Sequence, residues 1–400
     1  MAVSAPLSPA SPGRTAALVC VAAMVALAVA MGVGRFAFTP LFPLMVRDGL
    51  LTGAAGAAIA ASNYLGYLVG ALAAGRLQAG PAALVAVGLV STVAATAAVG
   101  WTSSVPLWVA LRFVAGVMSA WTLVATSAWG LGWLARLGRP HLAGTVFAGV
   151  GLGIAAAGLF CLVAAGPRVP SLGMWVQLAG GAGVAVLLPL WAVWRLPAAS
   201  SPAAAHATAL QPPPARTGGL VVCYTLFGFG YILPATYLPA LARQLVDDPQ
   251  VFGLAWPLFG LAAALSTIVV SWGLRRASRL GVWAACHLLM AAGVLLPRVW
   301  PSLASVTLAA LLVGGTFMVI TMLAMQEARA RAEGQATAVL GRMTAGFALG
   351  QLLGPLTSAA MGRFTADFAT ALNHALVLSA AGLLASAAYL WREARRQPAP

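Results

Sequence analysis

The chain alternates long runs of apolar residues with short breaks that carry arginine, proline or glycine. A bilayer core about 30 Å thick requires about 20 apolar residues of helix, so each long run predicts one membrane-spanning helix. The pattern therefore predicts an all-α integral membrane protein with twelve transmembrane helices. The predicted spans are approximately Ala16–Phe38, Ala54–Ala74, Ala82–Trp101, Leu107–Leu134, Leu142–Ala165, Leu172–Trp194, Leu220–Leu241, Val251–Leu274, Gly281–Val299, Leu303–Met325, Ala336–Met361 and Phe368–Trp391.

Composition excludes a water-soluble fold. Of the 400 residues, 61% are hydrophobic and 7% are charged, against roughly 25% charged residues in an average soluble domain. The net charge of +15 comes from arginines scattered between apolar runs, whereas nucleic-acid binding needs basic groups clustered on one face. The four cysteines lie far apart inside apolar runs. No nucleic-acid partner, disulfide, metal site or cofactor is expected.

One connection is much longer than the others and divides the spans six and six. Between Arg195 and Arg216 runs LPAASSPAAAHATALQPPPA, which is too polar and too rich in proline to cross a membrane. The predicted organisation is a tail over 1–15, a bundle over 16–194, a linker over 195–218, a second bundle over 219–391 and a tail over 392–400. Fourteen of the 22 arginines fall on the side of the two termini and five on the opposite side. This bias predicts cytoplasmic termini in a bacterial-type inner membrane.

An internal repeat supports two related halves. A shift of 196 residues aligns the window GVGRFAFTPLFPLMVR with GFGYILPATYLPALAR. Two parallel six-helix bundles joined by a cytoplasmic linker are the architecture of major facilitator transporters, whose binding site lies near the middle of the membrane between the halves. The aligned identities are Gly32 with Gly228, Gly34 with Gly230, Pro43 with Pro239, and Arg47 with Arg243.

Four segments carry a family resemblance. GVGRFAFTPLFPLM (Gly32–Met45), ASNYLGYLVGALAAG (Ala61–Gly75) and TAGFALGQLLGP (Thr344–Pro355) resemble the YbfB/YjiJ-type branch of the major facilitator superfamily. RFVAGVMSA (Arg112–Ala120) resembles the Arg-x-x-x-Gly motif of the wider superfamily. The resemblance implies the major facilitator fold with two pseudo-symmetric bundles. The loop after the second span departs from the superfamily pattern because it lacks the usual aspartate.

Arg35 and Arg112 fall inside predicted spans and are the leading candidates for solute binding. An arginine at mid-depth costs at least about 2.5–3.5 kcal/mol, so it normally faces the bundle interior and has a partner. In the resembled fold, the first and fourth helices line a central cavity, where both guanidinium groups are expected to bind a carboxylate or phosphate. In the alternative, Arg35 snorkels outward and Arg112 caps carbonyl groups of a neighbouring helix. Replacing either with alanine is expected to abolish transport and leave the protein folded.

Other polar residues in the spans extend the predicted solute site, with ordinary hydrogen bonding between helices as the alternative for each. Arg342 with Glu327 forms a predicted gating pair, for which a structural ion pair or snorkelling is the alternative. The further solute-binding candidates are Asn63, Tyr67, Tyr231, Tyr237 and Gln351.

No acidic residue is predicted inside a span, which favours an anionic or polar solute over a cationic one. A proton relay normally uses a buried carboxylate or histidine, and only His287 and His374 remain for that role in the spans. The coupling ion is left open between a proton and a counter-anion. The acids, in loops, at helix ends or in the tail, are Asp48, Asp247, Asp248, Glu327, Glu333, Asp367 and Glu393.

The leading functional hypothesis is a secondary active transporter that moves a small organic solute, with an anionic solute favoured, by alternating access. An exporter of hydrophobic or drug-like compounds is the alternative within transport. A membrane-embedded enzyme acting on lipid is the alternative of a different class, but it needs a cluster of acids, histidines or a nucleophile with its base. Such residues are too few and too dispersed here, so no catalytic residue is expected. The expected partners are the solute and the bilayer, and the chain is expected to act as a monomer.

Overall fold

A computed structural model of the chain describes residues 12–77, 79–165, 169–196, 217–245, 249–274, 276–332, 335–361 and 368–396. The side chains of residues 236–245, 249–253, 359 and 368–369 lie outside this description. The described residues form twelve long helices and no strand, which confirms the all-α prediction. The helices are α1 (Pro12–Arg47), α2 (Gly53–Ala74), α3 (Pro81–Val99), α4 (Val105–Arg136), α5 (Pro140–Ala164), α6 (Ser171–Arg195), α7 (Gly218–Leu245), α8 (Pro249–Gly273), α9 (Arg279–Val299), α10 (Leu303–Ala330), α11 (Ala336–Met361) and α12 (Phe368–Arg396).

Eleven helices contain, within the described residues, a stretch long and apolar enough to cross a membrane. The remaining helix, α11, has 26 residues, and its apolar sequence is interrupted by Arg342 and Gln351. Polar residues inside a membrane helix normally face other helices rather than lipid. Gln351 fits this rule, since it is buried and contacts Arg35 of the other half, whereas Arg342 is exposed.

Helix α1 is longer than its predicted span, because Pro40 and Pro43 lie within it rather than ending it. The helix continues to Arg47, and its middle part, Ala28–Phe36, has the wider π-helical winding. Proline is tolerated inside membrane helices when neighbouring groups satisfy the carbonyls that lose their N–H partners. The wide turn shifts the hydrogen-bond register just before the first proline and leaves carbonyl groups free within the helix.

The two halves repeat the same close contact between helices. In the first half, a Cβ atom on Gly32 would overlap the backbone of Gly153, so α1 and α5 approach with backbones touching. In the second half, Gly228 of α7 meets the backbone of Phe347, and Gly350 of α11 meets that of Thr225. Glycine lets membrane helices approach closely and gain packing contacts that lipid does not provide. The repeated glycines thus mark equivalent helix pairs, as the internal repeat predicted.

The halves contact each other along α5 and α8 and along α2 and α11. A Cβ atom on Gly260 of α8 would lie 2.5 Å from the backbone nitrogen of Ala155 and 2.6 Å from the carbonyl oxygen of Gly151. On the other side of the bundle, a Cβ atom on Gly75 would lie 2.9 Å from the Cα atom of Ala338. Along these two helix pairs, the halves therefore meet through glycine-mediated backbone contacts.

Replacing Gly260 with alanine is expected to lower thermal stability in detergent, because the new methyl group forces α5 and α8 apart. Overpacking of this kind costs about 1–3 kcal/mol. Gly273 on the same helix supplies the matched control, since a Cβ atom there meets nothing within 4 Å. Gly273→Ala is expected to have the melting temperature of the wild type. Equal melting temperatures for both variants would contradict the close contact between α5 and α8.

Candidate functional site

Arg35 lies in the π-helical part of α1 at the junction between the halves. Its side chain is buried, and its Nη2 donates a hydrogen bond to Oε1 of Gln351 on α11 of the other half. Its guanidinium carbon lies 3.7 Å from the centre of the Tyr67 ring on α2, within the distance of a cation–π contact. The structure thus brings together three of the predicted solute-binding residues, which we call the Arg35 junction: Arg35, Tyr67 and Gln351.

The Arg35 junction contains more buried polar atoms than it pairs. Arg35 Nε and Nη1, the Tyr67 hydroxyl and Gln351 Nε2 have no hydrogen-bond partner among the described residues. Arg35 fixes the orientation of the Gln351 amide, because the amide oxygen must face the guanidinium donor. The unpaired groups are therefore mainly N–H and O–H donors. Buried donors without acceptors are costly, and an acceptor-rich ligand such as an anion would satisfy them together.

Arg112 on α4 binds the backbone of α1. Its Nη1 donates to the carbonyl oxygen of Gly34 and its Nη2 to that of Arg35, both at 2.6 Å. In a π-helix the carbonyl of Arg35 would pair with the N–H five residues later, but that residue is Pro40, which has none. Arg112 therefore occupies a carbonyl that the α1 sequence leaves without its regular partner.

This geometry corresponds to the capping alternative for Arg112. It also gives Arg112 a defined effect on the site, since it holds the backbone at the residue whose side chain reaches Gln351. Asn63 supports the arrangement from α2 by donating from Nδ2 to the carbonyl oxygen of Arg112 at 2.9 Å. Direct contact of Arg112 or Asn63 with a solute stays a prediction.

The second half presents a group of rings to the Arg35 junction. Tyr231 stacks on Phe317 with ring centres 4.3 Å apart and planes 10° apart, and Trp256 stacks on Phe259 at 5.5 Å. We call this group the aromatic cluster. It comprises Tyr224, Phe227 and Tyr231 of α7, Trp256 and Phe259 of α8, Phe317 of α10 and Phe347 of α11. Sequence reasoning selected only Tyr231, because nothing local indicates that rings from four helices meet.

Tyr231 and Arg35 share a neighbour in Phe347. The centre of the Phe347 ring lies 6.0 Å from the Arg35 guanidinium carbon and 6.1 Å from the centre of the Tyr231 ring. The cation of one half and the phenol of the other, which the repeat aligns, therefore contact the same ring. The side chain of Tyr237, the remaining predicted contact, lies outside the described residues.

On the side of the two termini, Glu327 pairs with two arginines. Its carboxylate accepts from Arg279 at 3.1 Å and from Arg331 at 2.8 Å, and its side chain is 5% exposed. Arg342 is exposed, and the described part of the chain gives it no ion pair. A gate formed by Arg342 and Glu327 stays a prediction. In this conformation the carboxylate pairs with Arg279 at the start of α9 and with Arg331 at the end of α10.

Replacing Glu327 with glutamine is expected to destabilise the protein by at least about 2 kcal/mol, because it leaves two arginines without their shared anion. Glu393→Gln is the matched control, since Glu393 meets Arg396 only at 3.9 Å and that arginine side chain is 79% exposed. The measurement is the melting temperature of each variant in detergent. A Glu327 variant as stable as the control would show that the pair contributes nothing.

The same side of the protein holds a direct contact between the halves. Arg329 of α10 donates from Nη1 to the carbonyl oxygen of Ala128 on α4 at 3.3 Å. The guanidinium passes over Gly132, where a Cβ atom would lie 3.0 Å from Nη2. Glycine at position 132 therefore leaves the space in which an arginine of one half reaches the backbone of the other.

On the opposite side, Asp48 and Arg47 join the end of α1 to the start of α6. Asp48 accepts from the backbone nitrogen of Ser171 at 2.7 Å and from Arg47 Nε at 2.9 Å. Burial alone would raise the pKa of Asp48, but the Ser171 and Arg47 hydrogen bonds outweigh it and hold the pKa below its usual range. The carboxylate is ionised at neutral pH, and its contribution to stability is lost only as the pH falls through that lowered pKa.

The two predicted relay histidines have different surroundings. His287 on α9 is fully buried, accepts from Trp283 Nε1 at 2.9 Å and lies against the Phe227 ring. Its Nε2 is therefore the unprotonated nitrogen of a neutral imidazole. His374 on α12 is exposed at the surface of the bundle. Neither histidine contacts the Arg35 junction among the described residues, so a relay role stays a prediction.

A sequence profile of the family described as "Uncharacterised MFS-type transporter YbfB" matches residues 27–390. The human organic anion transporter MFSD10 (TETRAN) is similar in structure with a TM-score of 0.70 and 15% identity, over 95% of this chain and 100% of that one. The proton:xylose symporter XylE, bound to 6-bromo-6-deoxy-D-glucose, is similar with a TM-score of 0.75 and 13% identity, over 95% and 96%. No curated protein sequence matches the chain. At these identities the structural likeness concerns the fold alone, and it confirms the two predicted six-helix bundles.

Proposed function

Because this chain belongs to the YbfB-type family of major facilitator superfamily transporters, we propose that it is a secondary active transporter that moves a small organic anion by alternating access. The family resemblance seen in the motifs is confirmed, and the chain is a membrane transporter rather than an enzyme. In the proposed arrangement, bundles 16–194 and 219–391 are joined by a linker over 195–218, and the tails over 1–15 and 392–400 are cytoplasmic. The arginine bias supports this orientation in a bacterial-type inner membrane, with the monomer as the working unit.

The observation that carries the anion proposal is the state of Arg35. Its side chain is 3% exposed, and two of its nitrogens, Nε and Nη1, have no acceptor among the described residues. In a medium of low dielectric constant, an anion at these groups gains charge-assisted hydrogen bonds. Tyr67 and Gln351 add further donors on α2 and α11. The described contacts of Arg35 include no carboxylate that would compete with a bound anion.

The position of the Arg35 junction links binding to movement of the halves. Arg35 belongs to the first bundle and Gln351 to the second, so separating the bundles on either side disturbs their hydrogen bond. An anion held by both residues stabilises the conformation in which the halves close around it. A ligand shifts a conformational equilibrium only by its differential affinity for the two states, and such a bridging contact supplies that difference.

The experiment that tests this function is a flux measurement on purified protein in liposomes, with imposed proton and anion gradients. Candidate solutes come from a thermal-shift panel of small carboxylates paired with their neutral amides, because a ligand that binds the folded state raises its apparent stability. Acceleration by a pH gradient would identify a proton as the coupling ion, and acceleration by an internal anion would identify a counter-anion. A protein that binds and moves no member of the panel under any gradient would contradict the proposal.

Export of hydrophobic or drug-like compounds is the second candidate, and the aromatic cluster is the observation that favours it. Rings such as Tyr231, Phe317 and Trp256 offer apolar surface to an uncharged ligand. The export hypothesis predicts that the neutral amides bind with the same affinity as the carboxylates. The charged and neutral members of the panel therefore separate the two functions in one measurement.

A further inference from the structure

The Arg35 junction and the aromatic cluster are in direct contact. Phe36, next to Arg35 on α1, meets Trp256 and Phe317 edge-on with ring centres 6.3 and 6.1 Å apart. Phe347 of the cluster lies 6.0 Å from the guanidinium carbon of Arg35. Positive charge and ring faces thus lie side by side where the two halves meet.

The contributions of the two halves at this junction are unequal. Around Arg35, the first half supplies two guanidinium groups and the Tyr67 hydroxyl, whereas the second supplies the amide of Gln351 and the ring cluster. Both terminal nitrogens of Arg112 donate to carbonyl groups. Of the two guanidinium groups, only that of Arg35 therefore has unpaired N–H groups at both Nε and a terminal nitrogen. Within the described part of the chain, the guanidinium of Arg35 is therefore the one at this junction with N–H groups left for a ligand on two nitrogens, and the aromatic cluster lies next to it.

The indole nitrogen of Trp256 adds a hydrogen-bond donor to the aromatic cluster. Its Nε1 is buried without a partner among the described residues, although the ring stacks on Phe259. A ligand with one charged end and a flat apolar body would place the charge at Arg35 and its body against these rings. A small dianion would bury its second negative charge without a partner at this site. A purely aliphatic acid would gain less binding energy from contact with the ring faces.

On this geometry, and on the basis of the proposed function, we propose that the solute is an aromatic monocarboxylate. The carboxylate binds the guanidinium of Arg35 at its unpaired N–H groups, with Tyr67 and Gln351 as further donors. When the halves separate to admit the solute, its ring takes the place of the Phe36 contacts and packs against the rings of Tyr231, Trp256 and Phe317. Specificity for the class arises from the aromatic cluster, whereas affinity for the charge arises from the Arg35 junction.

The test uses four probes on the purified full chain: benzoate, cyclohexanecarboxylate, benzamide and succinate. Benzoate and cyclohexanecarboxylate share the charge and differ in the ring, and benzamide keeps the ring and loses the charge. Binding is followed by thermal shift and by tryptophan fluorescence. Benzoate is expected to bind at least about ten-fold more tightly than each of the other three.

A pair of variants assigns the preference to the aromatic cluster. Tyr231→Leu is expected to reduce benzoate affinity about ten-fold and to leave cyclohexanecarboxylate affinity nearly unchanged, whereas Tyr231→Phe retains benzoate binding. Trp101→Leu is the matched control, since Trp101 is 77% exposed and distant from the site in the chain. The melting temperature of each variant without ligand checks that it is folded, and the comparison of probes on the wild type does not depend on any variant.

The outcomes separate this inference from the proposed function. If cyclohexanecarboxylate or succinate binds as tightly as benzoate and is transported, the aromatic class is wrong and the anion transporter stands. If benzamide binds as tightly as benzoate, the charge is irrelevant and both the inference and the anion proposal fail. Preference for benzoate that Tyr231→Leu leaves unchanged would place the aromatic contact elsewhere and overturn the assignment.

Discussion

Replacing Arg35 with glutamine is expected to reduce anion transport at least a hundred-fold while the protein stays as stable as the wild type or becomes more stable. Two hydrogen bonds from a charged donor to an anion contribute about 1.5–3 kcal/mol each, and 1.4 kcal/mol corresponds to a factor of ten. In the unliganded protein, by contrast, the described contacts of the buried Arg35 guanidinium are one hydrogen-bond acceptor and four aromatic rings, of which Tyr67 is the nearest, and none of them is an anion. Removing an under-compensated buried charge costs little stability and can increase it.

Arg35→Lys is expected to recover little transport, because a lysine ammonium cannot reproduce the planar fork that meets a carboxylate while contacting Gln351 and Tyr67. Arg298→Gln is the control, since Arg298 lies exposed at the end of α9. Transport in liposomes and the melting temperature in detergent are measured for each variant. Wild-type flux in the glutamine variant would remove Arg35 from the mechanism, and a large loss of stability would assign it a structural role.

Replacing Arg112 with glutamine is expected to have the opposite signature, a large loss of stability. The change leaves the carbonyls of Gly34 and Arg35 without their 2.6 Å partners inside the membrane. The loss amounts to about 3–6 kcal/mol at 1.5–3 kcal/mol for each charge-assisted bond. Transport is expected to fall as well, because the segment of α1 that positions Arg35 is no longer held.

Arg112→Lys is expected to recover part of the stability, since an ammonium group still donates to one or both carbonyls. The same Arg298→Gln protein serves as the reference in the melting experiment. A folded Arg112→Gln protein with the stability of the wild type and no transport would favour direct contact of Arg112 with the solute. The structure therefore separates two arginines for which the sequence alone gives one expectation.

The helices were predictable because each depends on a local run of apolar residues. The exception is the end of α1, where Pro40 and Pro43 indicate a break by local rules. The helix continues because a neighbouring helix supplies Arg112 to one of the freed carbonyls. That compensation comes from a residue 77 positions away and has no local signal.

The candidate site was predictable in its charge and not in its contacts. The position of Arg35 within an apolar run was enough to select it, but its partner Gln351 is 316 residues away. The ion pair of Glu327 with Arg331 follows helical spacing, whereas its second partner, Arg279, comes from another helix. The aromatic cluster depends on four helices meeting, so tertiary structure alone reveals it.

Whether Arg35 holds an anion between the two halves is tested by a thermal-shift comparison of wild type and Arg35→Gln with matched carboxylates and amides. Benzoate is expected to raise the melting temperature of the wild type, benzamide is not, and neither is expected to change that of the variant. Equal stabilisation of both proteins by benzoate, or of the wild type by benzoate and benzamide alike, would contradict this role of Arg35.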